Sequence, residues 1–332
     1  MTGSTKGVAR KKRMQGWPDT PFPPKRVHKV GNRLLCESVD GVLCWLDGDS
    51  LEIIGEPTSP FPGRITHSIA EEDGESPRYI GMWIDRELRA ARMAALNLQE
   101  QITAGGKRDE LRTSEHKDPG AMQVAGALWS HPLEAEPLGL ASNGERVAFC
   151  MHRRGIYCIE FTSEEHWRVP LVNWPELDPV PDGSQIVCLV SAPGPGDSDG
   201  VERLWAWSAG GGWSVFDWES GELLCMGSLD LRERLESAWV SPDGEWLLAS
   251  APERMARWTP EGEPESVHVT GPVSDALWID DGWACAGWRE DLRWDRRGLK
   301  RRERPDIGIA LLNCKEGLIL LDNMGGWSTF QF

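Results

Sequence analysis

Short runs in which apolar and polar residues alternate follow one another along almost the whole chain, each closed by Gly, Asp, Asn or Pro. A period of two marks half-buried strands, and the punctuation marks tight turns between them. One larger unit recurs: a turn ending in Gly, an apolar run, a second turn, another apolar run, then a short third strand. The clearest copy is SAWVSPDGEWLLASAPERMARWTPEGEPESVHV, from Ser237 to Val269. Further copies start at Arg26, Leu138 and Ser274, and one ends the chain (IGIALLNCKEGLILLDNMGGWSTFQF). Two looser copies start at Ile65 and Leu177, the latter long enough to hold a surplus strand. Seven units at a spacing of about 43 residues match four-stranded propeller blades. The expected fold is all-β: a single closed β-propeller of about seven four-stranded blades spanning residues 25–332.

Within two units the hairpins share a spacing. Cys36 and Cys44 flank Gly41 as Cys150 and Cys158 flank Gly155. Val39-Asp40-Gly41 and Arg153-Arg154-Gly155 fit short turns whose last residue has positive φ, which favours glycine. That register sets each cysteine pair directly across its hairpin, as reduced core thiols rather than a disulfide.

Four segments strain the pattern. Residues 86–102 carry Leu88, Ala91, Ala95, Leu98 and Ile102 at helical spacing, yet Ala94, Leu96 and Leu98 alternate; a strand is preferred because a blade is otherwise incomplete there. Residues 103–120 are polar, with Gly105-Gly106 and Pro119, and read as an exposed, disorder-prone insertion. APGPGDSDG, from Ala192, reads as a loop. The C-terminal unit lacks a first strand, because RRERPDIG is too charged to line a channel. Residues 1–24 form a basic arm, and a segment within 14–24 is expected to join the last blade and close the ring, which removes exposed edges. Four prolines (Pro18, Pro21, Pro23, Pro24) oppose a regular strand there.

Composition sharpens this picture. Eighteen tryptophans stand against two tyrosines, too many for surface decoration; Trp45, Trp258 and Trp294 on third strands, with Trp239 and Trp278 before turns, read as blade-to-blade packing. No apolar run is long enough for a membrane span, and the basic N-terminus is not followed by an apolar stretch, so a cytoplasmic protein is expected. The eight cysteines form no CxxC pair and have no spaced histidine, which speaks against zinc; no cofactor is expected. The net charge of −16 disfavours general nucleic-acid binding.

The fragments SPDGEWLLAS, VPDGSQIVCLV, DGVLCWLD, RLWAW and VFDWESGELL resemble the blades of WD-repeat and Tol-type propellers. The Gly-His dipeptide of WD repeats is absent, and Trp294-Asp295 is a strand-ending Trp-Asp pair. The resemblance implies the propeller fold, and by analogy a scaffold role.

No phosphate loop, dinucleotide fingerprint or HExxH occurs, and the one GxSxG match, Gly196 to Gly200, falls inside the APGPGDSDG loop rather than at a strand-to-helix turn. Ser241-Pro242-Asp243-Gly244-Glu245-Trp246 resembles a sialidase Asp-box but is one residue short. The expected function is a non-enzymatic scaffold for protein partners. The alternative is a propeller enzyme or binder of a small, carbohydrate-like molecule in the central channel. One surface is singled out: Arg10, Lys11, Lys12 and Arg13, with Arg296, Arg297, Lys300, Arg301 and Arg302 on the adjacent blade, would form a basic patch on an acidic ring, suited to an acidic protein tail or a nucleic-acid backbone.

Overall fold

The computed structural model describes residues 16–72, 77–195, 200–315 and 317–332. Seven antiparallel sheets follow one another along the chain, six with four strands and the last with three. Their first strands are Pro24–Val30, Arg64–Glu71, Pro137–Ser142, Ile186–Pro193, Arg234–Val240, Val273–Ile279 and Gly308–Cys314. Each first strand packs against the first strand of the next blade, and that of blade 7 packs against that of blade 1, so the ring is closed. This is a seven-bladed β-propeller. The second and third strands are the most buried, as in Arg78–Asp85 and Ala90–Asn97 of blade 2, because blades cover both of their faces. Ala90–Asn97 is the strand chosen over a helix within 86–102.

Named polar and aromatic contacts secure the first six seams. Between blades 1 and 2, the buried Glu37 carboxylate accepts from His28 Nε2 at 2.7 Å, from Tyr79 OH at 2.9 Å and from Ser68 Oγ. Indole N–H groups donate across the next two seams, Trp129 to Phe161 O at 2.8 Å and Trp167 to Trp218 O at 2.9 Å. Blades 4 and 5 meet through a slab of Trp205, Trp207, Trp213, Trp246 and Trp258, with the rings of Trp205 and Trp246 centred 4.8 Å apart. Trp283 Nε1 donates to Glu245 Oε1 at 2.8 Å between blades 5 and 6. Leu311 N–H donates to Asp275 Oδ2 at 2.8 Å between blades 6 and 7. A buried indole covers a large area and leaves one donor to satisfy, so a carbonyl or carboxylate on the neighbouring blade both stabilises and orients it.

Several expectations are corrected. Cys36 does pair with Cys44 across its hairpin, where Gly41 takes a φ of 88° and a Cβ would meet Gly63 O. In the second hairpin, however, Cys150 faces Ile156, and Cys158 faces Ala148. There the left-handed residue is Arg153 (φ 55°) rather than Gly155, so the turn sits earlier and the register shifts. All eight cysteines are reduced, with no disulfide among them. The unit from Leu177 has four strands and no surplus, its start being a 3-10 turn at Pro175–Leu177.

Residues 103–120 are not structureless. Arg108–Lys117 is a helix that places its one leucine, Leu111, in the core beside Phe61 and Trp83. The Glu110 carboxylate accepts from Lys107 N–H at 2.9 Å, acidic residues occupy the first turn and basic ones the last, all favourable to the helix dipole. Glu115 pairs with Arg92, whose side chain is buried.

Among the described residues the C-terminal blade has its first three strands and no fourth. Gly308–Cys314 lines the channel, while the charged residues before it end the outer strand of blade 6, Gly298–Glu303. Residues 16–22 lie against this last blade without forming a strand: Thr20 N–H donates to Gly325 O at 2.9 Å, and Trp17 and Phe22 pack into the cluster of Leu46, Ile319 and Trp327 that joins blades 7 and 1. Deleting residues 1–22 is expected to lower the melting temperature by several degrees, at about 2–4 °C per kcal/mol of lost packing. An unchanged melting temperature would show that the ring closes without them.

Candidate functional site

The seven first strands share one irregularity. In every blade a β-bulge interrupts the pairing of the first strand with the second, leaving Lys25, Thr66, Leu138, Val187, Glu236, Ser274 and Ile309 as the extra residues. A bulge turns consecutive side chains toward the same side and bends the strand. Here it forms a belt around the central channel, with Arg26, His67, Gly139, Cys188, Ser237, Asp275 and Ala310 each one residue beyond the bulge. Residues of this belt from all seven blades line a cavity of about 460 Å³. Gly139, Ser237 and Ala310 leave it open.

Its polar groups converge from several blades. Arg26 Nη1 donates to Ser68 Oγ at 2.8 Å, and Lys25 Nζ donates to Thr66 O at 2.9 Å and to Ile65 O. Arg26 lines the cavity, and its charge acts on Glu37, His67, Cys188 and Asp275, groups from blades 1, 2, 4 and 6. Burial and then Arg26 pull Lys25 down to about 8. Burial, Arg26 and Lys25 bring His67 down to about 3, so its ring is neutral. The Glu37 carboxyl sits at about 2: burial opposes its charge, but the charge and hydrogen bond of His28, with Arg26 and Ser68, outweigh that cost. Asp275 is raised to about 6 by burial, against hydrogen bonds from the Leu311 and Ala276 N–H groups. The Cys188 thiol is pushed up to about 11 by burial, so it is not an activated nucleophile at neutral pH. Among the described residues no group of three His, Cys, Asp or Glu side chains is placed to hold a metal ion.

The basic residues singled out from the sequence divide into two sets. Arg10, Lys11, Lys12 and Arg13 lie outside the described residues. Arg296, Arg297, Lys300, Arg301 and Arg302 occupy the turn and outer strand of blade 6, where the first four are exposed. Lys300 lies 3.7 Å from Asp295 and Arg301 lies 3.7 Å from Glu290, so part of the charge is compensated within the blade. The channel belt was not singled out from the sequence; its one signal is the placement of the titratable residues Arg26, His67 and Asp275 in first strands.

No protein-family model matches the chain, and no curated protein matches it. Solved structures do. The crystal structure of BamB from Moraxella catarrhalis is similar over 91% of this chain and 80% of that one, with a TM-score of 0.50 and 13% identity. The likeness is one of fold. Because 1264 solved chains match, the fold is widely used and does not select a function by itself.

Proposed function

We propose that this chain is a non-enzymatic protein-interaction scaffold that docks an extended segment of a partner along the outer strand of blade 4, Leu223–Ser228. An outer strand presents unpaired N–H and C=O groups, and natural sheets guard such edges with charge, proline or shortness. The outer strands of blades 1, 2, 3, 5 and 6 carry Glu56 and Pro57, Pro132, Glu165 and Arg168, Glu265, and Lys300 to Glu303. That of blade 7 is three residues long. LLCMGS in blade 4 has neither charge nor proline, and Leu223, Leu224 and Met226 stand 43%, 46% and 38% exposed. This unguarded edge is the observation that carries the reading. A strand added there gains backbone hydrogen bonds for affinity and side-chain contacts for specificity. The overall charge of −16, with exposed Glu219 and Glu222 just before the edge, favours a segment that combines apolar and basic residues.

A photo-crosslinking residue at position 226, used in the native cell, is expected to capture an apolar and basic segment of another protein. Leu224→Lys with Met226→Lys should abolish capture without shifting the melting temperature, since both side chains are exposed. Capture of a second copy of this chain, or of nothing, would overturn the assignment.

A further inference from the structure

We propose that the bulge belt is a binding site for a small organic anion, its carboxylate or phosphate group held by Arg26 and Lys25 beside His67. This goes beyond the scaffold reading and does not depend on it. Three observations on the wall carry it.

First, two cations enter the cavity without an ion pair to any carboxylate among the described residues. Lys25 Nζ is bonded to backbone carbonyls, and Arg26 Nη1 to the hydroxyl and, at 3.5 Å, the carbonyl of Ser68. Glu37, whose charge acts on both cations, gives its Oε1 to His28, Ser68 and Tyr79, and its Oε2 is buried without a hydrogen-bond partner. Asp275, across the channel, is occupied by two backbone N–H groups, from Ala276 at 2.9 Å and Leu311 at 2.8 Å. On the side of blades 1 and 2 the two cations have no carboxylate bonded to them, and an anionic ligand seated there would supply a charge-assisted partner.

Second, His67 Nδ1 is buried without a hydrogen-bond partner, although the side chain lines this cavity. A buried ring nitrogen left unpaired is unfavourable, and a ligand oxygen beside it would complete the set. Third, the cavity suits a small metabolite in size, because the belt positions Gly139, Ser237 and Ala310 are small. Trp239 is the one indole on the lining, so a stacking platform for a neutral sugar is not built; Lys25 and Arg26 make the blade 1 side positive, while Asp275 and the exposed Glu236 lie on the side of blades 5 and 6.

Binding would be linked to protons. An anion beside Lys25 and His67 favours their charged forms, and Lys25 at about 8 titrates in an accessible range. Isothermal titration of the full chain at pH 8.5 with inorganic phosphate, with succinate and with glucose tests this, in two buffers of different ionisation enthalpy. Phosphate or succinate, or both, should bind one to one with uptake of a fraction of a proton, and glucose should not; the two anions distinguish the phosphate and carboxylate forms of the ligand. Arg26→Gln should weaken binding at least about tenfold, the scale of one lost charge-assisted contact. Ser237→Phe fills the channel from the opposite wall, leaves the cations in place, and should have the same effect in a folded protein. No binding of either anion, glucose binding as tightly, or affinity unchanged in both variants would overturn the site. None of these outcomes bears on crosslinking at position 226, so the two proposals fail separately.

Discussion

Replacing Glu37 with leucine is expected to destabilise the propeller by about 3–5 kcal/mol, the range seen when one partner is removed from a buried charged network. Glu37 is fully buried, and its carboxylate holds His28 on its own blade and Ser68 and Tyr79 on the next. Leucine fills the volume but leaves a histidine, a phenol and a hydroxyl facing each other, and takes a negative charge from beside Arg26. Glutamine preserves the shape and an acceptor and should cost less, about 1–3 kcal/mol. A shift in the urea midpoint equivalent to under about 1 kcal/mol for the leucine variant would remove the network from the list of seam fasteners.

The same residue sets an acid limit. A folded value of about 2, below the ordinary 4.5, contributes stability that is fully present above 4.5 and is lost as pH falls from 4.5 toward 2. His67, lowered from 6.5 to about 3, costs stability as pH falls through that interval, because only the unfolded chain takes up the proton. Asp275 has the opposite sign: raised from 3.8 to about 6, it gains stability as pH falls from 6 to 3.8. Between pH 6 and 4.5 the last two offset one another, so stability should change little there and drop below about pH 4, at up to about 1.4 kcal/mol per pH unit for each proton bound. Glu37→Gln should make the acid limb shallower, leaving the part due to His67, and keep the flat region.

What was legible in the sequence follows from what leaves a local trace. Strand alternation and turn glycines are short-range signals, and they gave seven blades; ring closure follows because apolar first strands need covering on both sides. Features that depend on pairing between strands left no such trace. The bulge residues Lys25, Thr66, Leu138, Val187, Glu236, Ser274 and Ile309 share no side-chain type, because a bulge is a property of register, not of composition. Arg153 takes the left-handed position predicted for Gly155, so the spacing of Cys150 and Cys158 does not report their register. The helix at Arg108–Lys117 was hidden by polarity: a single leucine anchors it, and the buried partner of Glu115 lies on a strand earlier in the chain. The edge of blade 4 was legible in LLCMGS, but its meaning appears only when the seven outer strands are compared.

Truncating Trp207 to alanine should cost about 3–5 kcal/mol, the range for a large aromatic side chain removed from a packed interior. Trp207 is fully buried, and its ring meets those of Trp205, Trp246 and Trp258 across the seam of blades 4 and 5. The surrounding rings are rigid and held from two blades, so the cavity has little means of collapse. Trp288→Ala, at a side chain 41% exposed, should shift stability by about 0.5 kcal/mol or less and serves as the control. Substitution by phenylalanine separates area from hydrogen bonding within the slab. Trp205 Nε1 donates to Pro193 O at 3.0 Å, whereas Trp207 Nε1 is buried without a partner. Trp205→Phe therefore loses area and strands a carbonyl; Trp207→Phe loses similar area but removes an unsatisfied donor. Trp205→Phe should be the more destabilising of the two in chemical denaturation. The reverse order would mean that the slab is held by ring packing alone, with the indole nitrogens contributing nothing to its stability.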